Sequence, residues 1–159
     1  MKKAIVLLLL IAPVAVFAQA GKGKTFSQSV RLNSSTEQAW ANLIDFKTFK
    51  DWDTDIVDVR CGEELTENLV CKAISADGTV FEVEITAWEP GKSYTLRTKL
   101  SSGNLYIKRT LEGDEVATLN ETVWFKGISR KTFEKYKGTN YDQTIARRVN
   151  AFKGYMAAK

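Results

Sequence analysis

In the stretch "LYIKRTLE" (105–112), Leu105, Ile107, Arg109 and Leu111 fall on one face of a strand, so Arg109 interrupts an otherwise apolar file. If that face is interior, the guanidinium needs a partner, because an isolated buried charge is costly. A ligand carboxylate is one candidate; an internal acid such as Glu121, or a place at the wet rim, are the others. The register after the next turn bears on the choice. A two-residue loop within 112–115 sets Asn120, Thr122 and Trp124 on the face of Arg109, and a three-residue loop sets Leu119, Glu121 and Val123 there. The second set is more apolar and suits an interior better. Arg148 is a second cation of interest, near the edge of the apolar face of the C-terminal helix, whereas Arg147 points away. Tyr141 and Tyr155 share that face and carry a hydroxyl on an apolar body; packing with the polar tip in water is the plainer reading for all three.

Other chemistry is sparse. The sequence has no histidine, which excludes an imidazole base and any His-ligated metal site. Its two cysteines, Cys61 and Cys71, are too few for a standard zinc site. They lie ten apart on adjacent expected strands, and an even-sum register pairs them, so a disulfide is favoured over two buried thiols. Glu82 and Glu84 face the side opposite Phe81 and Val83 and read as a solvated outer face. "GKGK" near the N-terminus lacks the context of a phosphate loop. No catalytic set, metal or cofactor is expected.

The elements that position these residues are legible from changes of period. Residues 25–33 alternate weakly, with Phe26, Val30 and Leu32 apolar, as a strand. "SSTE" offers a capping box, Ser34 with Glu37, for a helix over 36–44 carrying Trp40, Leu43 and Ile44. Asp45 can cap a second short helix, 46–52, with Phe46, Phe49 and Trp52. From residue 55 the period is two, giving strands near 56–62, 69–76, 79–88, 93–100, 104–112 and 115–125. They are joined by "ADG", "EPG", "SSG" and "EGDE" turns. Joints this short make a meander of antiparallel hairpins. Residues 130–137 are a candidate helix that Gly138 sets off from the next. Asn140 with Gln143 can cap a long helix, 140–157, on which Tyr141, Ile145, Val149, Phe152 and Met156 fall within about 80°.

The N-terminus reads as an address. "MKK" precedes the apolar run "AIVLLLLIAPVAVFA", with Val16 and Ala18 meeting the small-residue rule for cleavage before Gln19. The run is shorter than the roughly 20 residues that span a bilayer. The expectation is a cleaved signal peptide over 1–18, a flexible 19–24, one domain over 25–159, and a periplasmic or secreted location. Discarding Lys2 and Lys3 lowers the formal net charge from +4 to +2. With charges interspersed, the basic footprint of a nucleic-acid binder is missing.

One helix is about 10 Å across, while seven strands at about 4.8 Å make a sheet over 30 Å wide. The sheet must curl around the terminal helix, and a curled sheet gripping one helix leaves room for a void, with 36–52 closing one end. The runs "FSQSVRLNSSTEQAWANLIDFKTFKDWDTDIVDV", "AWEPGKSYTL" and "YDQTIARRVNAFKGYM" resemble the helix-grip proteins of the START and birch-pollen-allergen superfamily (SRPBCC), in particular the bacterial polyketide cyclase/dehydrase and lipid-transport branch. The resemblance covers roughly 25–157, and its most telling piece is the Trp40, Asp45, Phe49, Trp52 spacing. It implies an α+β helix-grip fold, a curved antiparallel sheet of about seven strands around a long C-terminal helix. It also implies an apolar ligand, with chemistry in only some members.

The expected function is therefore a binding protein for an apolar small molecule or lipid, more a carrier than an enzyme. The alternative is a cyclase, dehydratase or isomerase using the same cavity. Candidate ligand-binding residues are Trp52, Phe81, Val83, Ile85, Leu96, Ile107, Arg109, Ile145, Arg148 and Phe152, with Leu105, Val149 and Met156 on the same inner surface. Phe46, Phe49 and Trp52 either close the mouth of the grip or fill core. Any membrane contact is expected to be transient, and no oligomeric state follows from the sequence.

Overall fold

The computed structural model describes residues 25–159 except 54 and 63, so the expected signal peptide and the segment 19–24 lie outside the described residues. Seven strands run as β1 (Thr25–Arg31), β2 (Ile56–Arg60), β3 (Val70–Ser75), β4 (Val80–Glu89), β5 (Ser93–Leu100), β6 (Gly103–Glu112) and β7 (Thr118–Lys126). They form a single sheet in the order β1-β7-β6-β5-β4-β3-β2, antiparallel throughout. β2 to β7 are the expected meander, and β1 returns beside β7.

Between β1 and β2 lie α1 (Thr36–Leu43), a 3-10 turn at Phe46–Thr48, and α2 (Phe49–Trp52); α3 (Arg130–Lys137) and α4 (Tyr141–Ala157) complete the chain. The capping box is present but one residue later than expected: the Ser35 hydroxyl accepts from the backbone of Gln38, whose side chain accepts from Ser35 N–H. Neither Asp45 nor Asn140 caps through its side chain. Gly138, at φ 84°, ends α3 and separates it from α4.

A bulge between Ile85 and Ala87 shifts the register of β4 against β5. Phe81, Val83 and Ile85 face inward, as expected, but Ala87 is exposed and Trp88 turns in against Trp40 and Tyr94. Val57 in β2 is exposed, at the register shift between Ile56 and Asp58. Cys61 and Cys71 are bridged, with Cα atoms 4.4 Å apart. The bond ties the end of the edge strand β2 to β3.

α4 lies along β1 and against α2. Its stripe of Ile145, Val149 and Phe152 is fully buried. At the opposite end of the sheet Gly103 and Gly127 stand back to back. A Cβ on Gly103 would come within 2.2 Å of the Lys126 carbonyl oxygen, so only glycine lets the β5–β6 turn cross the start of the α3 segment there. That crossing brings α3 over the mouth of the cleft described next.

Candidate functional site

The inner face of the sheet is divided. One half is packed solid around ions. Registers place Tyr94 opposite Arg109 and Arg109 opposite Glu121, so the three side chains stand in a row across β5, β6 and β7. Arg109 is 1% exposed and its guanidinium is fully engaged in direction: Nε donates to Glu121 at 2.7 Å, one terminal nitrogen to the Tyr94 hydroxyl at 3.0 Å, the other to Asp53 at 3.2 Å. The Tyr94 hydroxyl in turn donates to the Leu43 carbonyl at 3.3 Å. The Arg109 guanidinium carbon sits 4.7 Å from the Trp52 ring and 5.0 Å from Phe49, cation–π distances in a buried site. Arg148 closes the network, donating through Nε at 2.8 Å and through a terminal nitrogen to the other oxygen of Glu121, and to Asp55 at 3.3 Å.

This geometry answers the question of the aromatic cluster. Phe46, Phe49 and Trp52 are buried and packed on one another in tilted and edge-on contacts, Trp52 against Phe152 and Phe46 against Tyr94. They wall in the Arg109 guanidinium and do not line the cleft. Burial alone would push the Glu121 carboxyl up, but Arg148 and Arg109 override it and hold it below the usual carboxylate range. Burial pushes the Tyr94 hydroxyl up to about 12, partly offset by Arg109. Burial would lower both guanidiniums. The Tyr94 hydroxyl and the acids around Arg109, and Glu121 and Asp53 beside Arg148, raise them instead, so both stay charged.

The other half is hollow. A cleft of about 700 Å3 opens between β3–β6 and the α3–α4 segment. Its floor is apolar, from Phe81, Val83, Leu96, Leu105 and Ile107. Its mouth is framed by the β3–β4 turn (Ser75, Asp77, Thr79), the β5–β6 turn (Lys99, Ser101), the end of α3 (Tyr136, Lys137) and the first turns of α4 (Thr144, Arg147). Buried Tyr141 and Arg148 also line it, with the exposed Asp55 paired to Arg148 beside the β3–β4 turn, so the ion network reaches the cleft through Arg148. Burial raises the Tyr141 hydroxyl above its ordinary value against the pull of Arg148.

No family model matches the chain, and no curated protein matches it in sequence. Solved structures do. A START superfamily protein from Mycobacterium smegmatis superposes at TM-score 0.65 and 13% identity, covering 86% of this chain and 99% of that one. The Zhui aromatase/cyclase from a Streptomyces species does so at TM-score 0.66 and 13% identity, over 84% of this chain and 93% of that one. The chain has the helix-grip fold. A norcoclaurine synthase of Thalictrum flavum, solved with a transition-state analogue, shares the fold at TM-score 0.63 and 6% identity, over 85% of this chain and 94% of that one.

Within the helix-grip frame, the structure brings Phe81, Val83, Leu96, Ile107 and Arg148 of the expected set together on the cleft wall, with Leu105. It keeps the others apart. Trp52, Ile85, Ile145 and Phe152 belong to the packed half, because α4 leans on α2 and β1 and its apolar stripe is spent there. Arg109 is a correction of substance: every direction of its fork meets an internal partner, and it is shut off from the cleft. The internal-acid alternative, pairing with Glu121, is what the fold adopts. Arg147, expected to point away, lies on the cleft wall. Sequence reasoning missed Asp53, Asp55 and Tyr94. The signal available was the acid-rich "DWDTD" beside the aromatic cluster, which needed the sheet register to become meaningful.

Proposed function

We propose that the protein is a binding protein that carries or senses an apolar small molecule or lipid in the cleft between the sheet and the α3–α4 segment. The observation that carries this reading is the contrast in filling. A chain that packs aromatics tightly around a buried ion network leaves about 700 Å3 open over an apolar floor a few strands away. That volume lies within the usual range of small-molecule sites, roughly 300–1,000 Å3. Burying about 300 Å2 of apolar ligand surface at about 25 cal/mol/Å2 is worth about 7.5 kcal/mol gross. The costs of association bring the affinity to micromolar at best. The START superfamily likeness supports the reading. Export to the periplasm or beyond belongs to it as well, supported by the leader-like N-terminus and the Cys61–Cys71 bridge.

A second reading, an enzyme of the cyclase, dehydratase or isomerase kind, has the Tyr141–Arg148–Asp55 group on the cleft wall and two enzymes among the similar structures in its favour. The same group ranks it second. Arg148 is committed to Glu121 and Asp55, and a tyrosine pushed above its ordinary value is a poor base at neutral pH.

The test is direct binding of N-phenyl-1-naphthylamine, a neutral dye that brightens in apolar surroundings. The native protein is expected to bind it, and Val83→Trp, which fills the floor, to abolish binding. A native protein that leaves the dye dark sinks the proposal. Native mass spectrometry of protein purified from its own host, showing a co-purified lipid-sized adduct, is the complementary observation.

A further inference from the structure

We infer that the ligand is an acidic amphiphile: an apolar chain or ring system carrying a single carboxylate or similar anionic group, its body on the sheet floor and its charge at the mouth. This rests on the cleft reading above and narrows its ligand class. The floor of Phe81, Val83, Leu96, Leu105 and Ile107 offers the body of a ligand a single polar group, the Thr98 hydroxyl between Val83 and Leu105 in the registers. The mouth is different. Two cations from separate elements stand at it, Lys137 at the end of α3 and Arg147 on α4; Lys99, at the end of β5, borders the mouth, but strand alternation turns its side chain to the outer face with Arg97. All three are exposed, and among the described residues no carboxylate stands within ion-pair distance of any of them; Arg147 donates only weakly, to the Thr144 hydroxyl at 3.3 Å.

Of the two acids of the lining, only one is neutralised. Asp55 is paired with Arg148 at 3.3 Å. One oxygen of Asp77 accepts from the Ser75 hydroxyl at 2.5 Å and from Thr79 N–H at 3.0 Å, inside its own turn, and the carboxylate keeps its charge. The mouth therefore sets Lys137 and Arg147 against Asp77, a net positive rim. An anionic head at the rim meets the two cations without being dehydrated, which is the favourable place for a charge on an otherwise apolar guest. A cationic head finds only the Asp77 carboxylate at the rim, opposed by Lys137 and Arg147. Cations grouped around an apolar hollow fit a guest with both features better than they fit a flat anionic membrane, which would use charge alone.

The experiment is competition against N-phenyl-1-naphthylamine by dodecanoate, dodecan-1-ol and dodecyltrimethylammonium, each below its micellar concentration, at low and high salt. Two exposed pairings of modest strength lead us to expect dodecanoate to displace the dye at about ten-fold lower concentration than the alcohol. The trimethylammonium compound should be weakest, and the preference should shrink in 1 M salt. In the double variant Lys137→Gln/Arg147→Gln the ratio of acid to alcohol should fall to near one, read within the same protein so that any change in dye affinity cancels. Both positions are exposed, and an unchanged melting temperature verifies folding. Equal displacement by acid and alcohol in the native protein overturns the inference while leaving the cleft reading intact, as does a preference that survives in the variant. Tight binding to phosphatidylglycerol vesicles without dye displacement by dodecanoate overturns it too, because the cations would then serve a membrane surface. A native protein that binds no dye overturns the cleft reading itself.

Discussion

The two halves of one sheet's inner face solve the same problem in opposite ways. Over β5–β7 the interior holds two arginines and two acids, all at most 3% exposed, packed about by Phe49, Trp52, Tyr94 and Phe152. Over β3–β6 toward the turns, a mostly apolar floor lies under a polar rim, and a cleft of about 700 Å3 stands open. The polar half is closed and the apolar half is open to a guest. Buried ions demand full satisfaction, so they force dense local packing, whereas an apolar wall tolerates a void because no group on it lacks a partner. Substitutions in the first half should cost stability, and in the second half binding.

The largest expected effect is in the ion network. Glu121→Ala removes the acid shared by Arg109 and Arg148 and leaves two buried guanidiniums undercompensated, for a loss of about 3–5 kcal/mol. For a domain of this size that is a fall in melting temperature of about 10 °C or more, readable by calorimetry. A loss under about 1 kcal/mol would show that the network behaves like a surface ion pair, and the contrast between the halves would fail.

Next in size is the Cys61–Cys71 bridge. Replacing both by serine opens a short loop, for an expected loss of about 2–3 kcal/mol by the loop-entropy model. The check is denaturant unfolding of the variant beside the native protein with and without reductant; reduction should lower the native midpoint and leave the variant's unmoved.

Smaller again is the pH response. Glu121 is held below its ordinary value of 4.5 in the folded state, so it contributes stability at pH above that value. The contribution is lost as pH falls through the lower folded value, because the unfolded chain takes up the proton first. Denaturant midpoints between pH 6 and pH 3 should fall more steeply for the native protein than for Glu121→Gln. Parallel curves would mean that other carboxylates carry the acid sensitivity.

The smallest effect on stability should come from the hollow half. Val83→Trp is expected to shift the melting temperature little while abolishing dye binding, since the indole has a cleft to enter. In a filled core the same change would overpack, at about 1–3 kcal/mol.

How far the sequence reaches differs between these halves for a physical reason. The strands and helices were legible within a few residues because period two and period 3.6 are local properties, and short turns make antiparallel neighbours almost unavoidable. The bulge after Ile85 was not, since an extra residue leaves the composition of β4 unchanged while reversing the faces of Ala87 and Trp88. The same holds for the ions. Arg109 stands out in its apolar file, but its partners come from strands and a turn 12, 15 and 56 residues away along the chain.

The sequence by itself determined the element order, the antiparallel meander, an excess of sheet width over helix width, and the pairing of the two cysteines once register was even. Those follow from repeat lengths, turn chemistry and the fixed dimensions of strand and helix. Only the tertiary structure decided which part of the inner face is filled. That depended on the lean of α4 onto α2 and β1, which spends Ile145, Val149 and Phe152 there, and on the row of Tyr94, Arg109 and Glu121 that two separate registers bring together. Packing and ion pairing are sums over contacts distant in sequence, so no local pattern encodes where the solid core ends and the cleft begins.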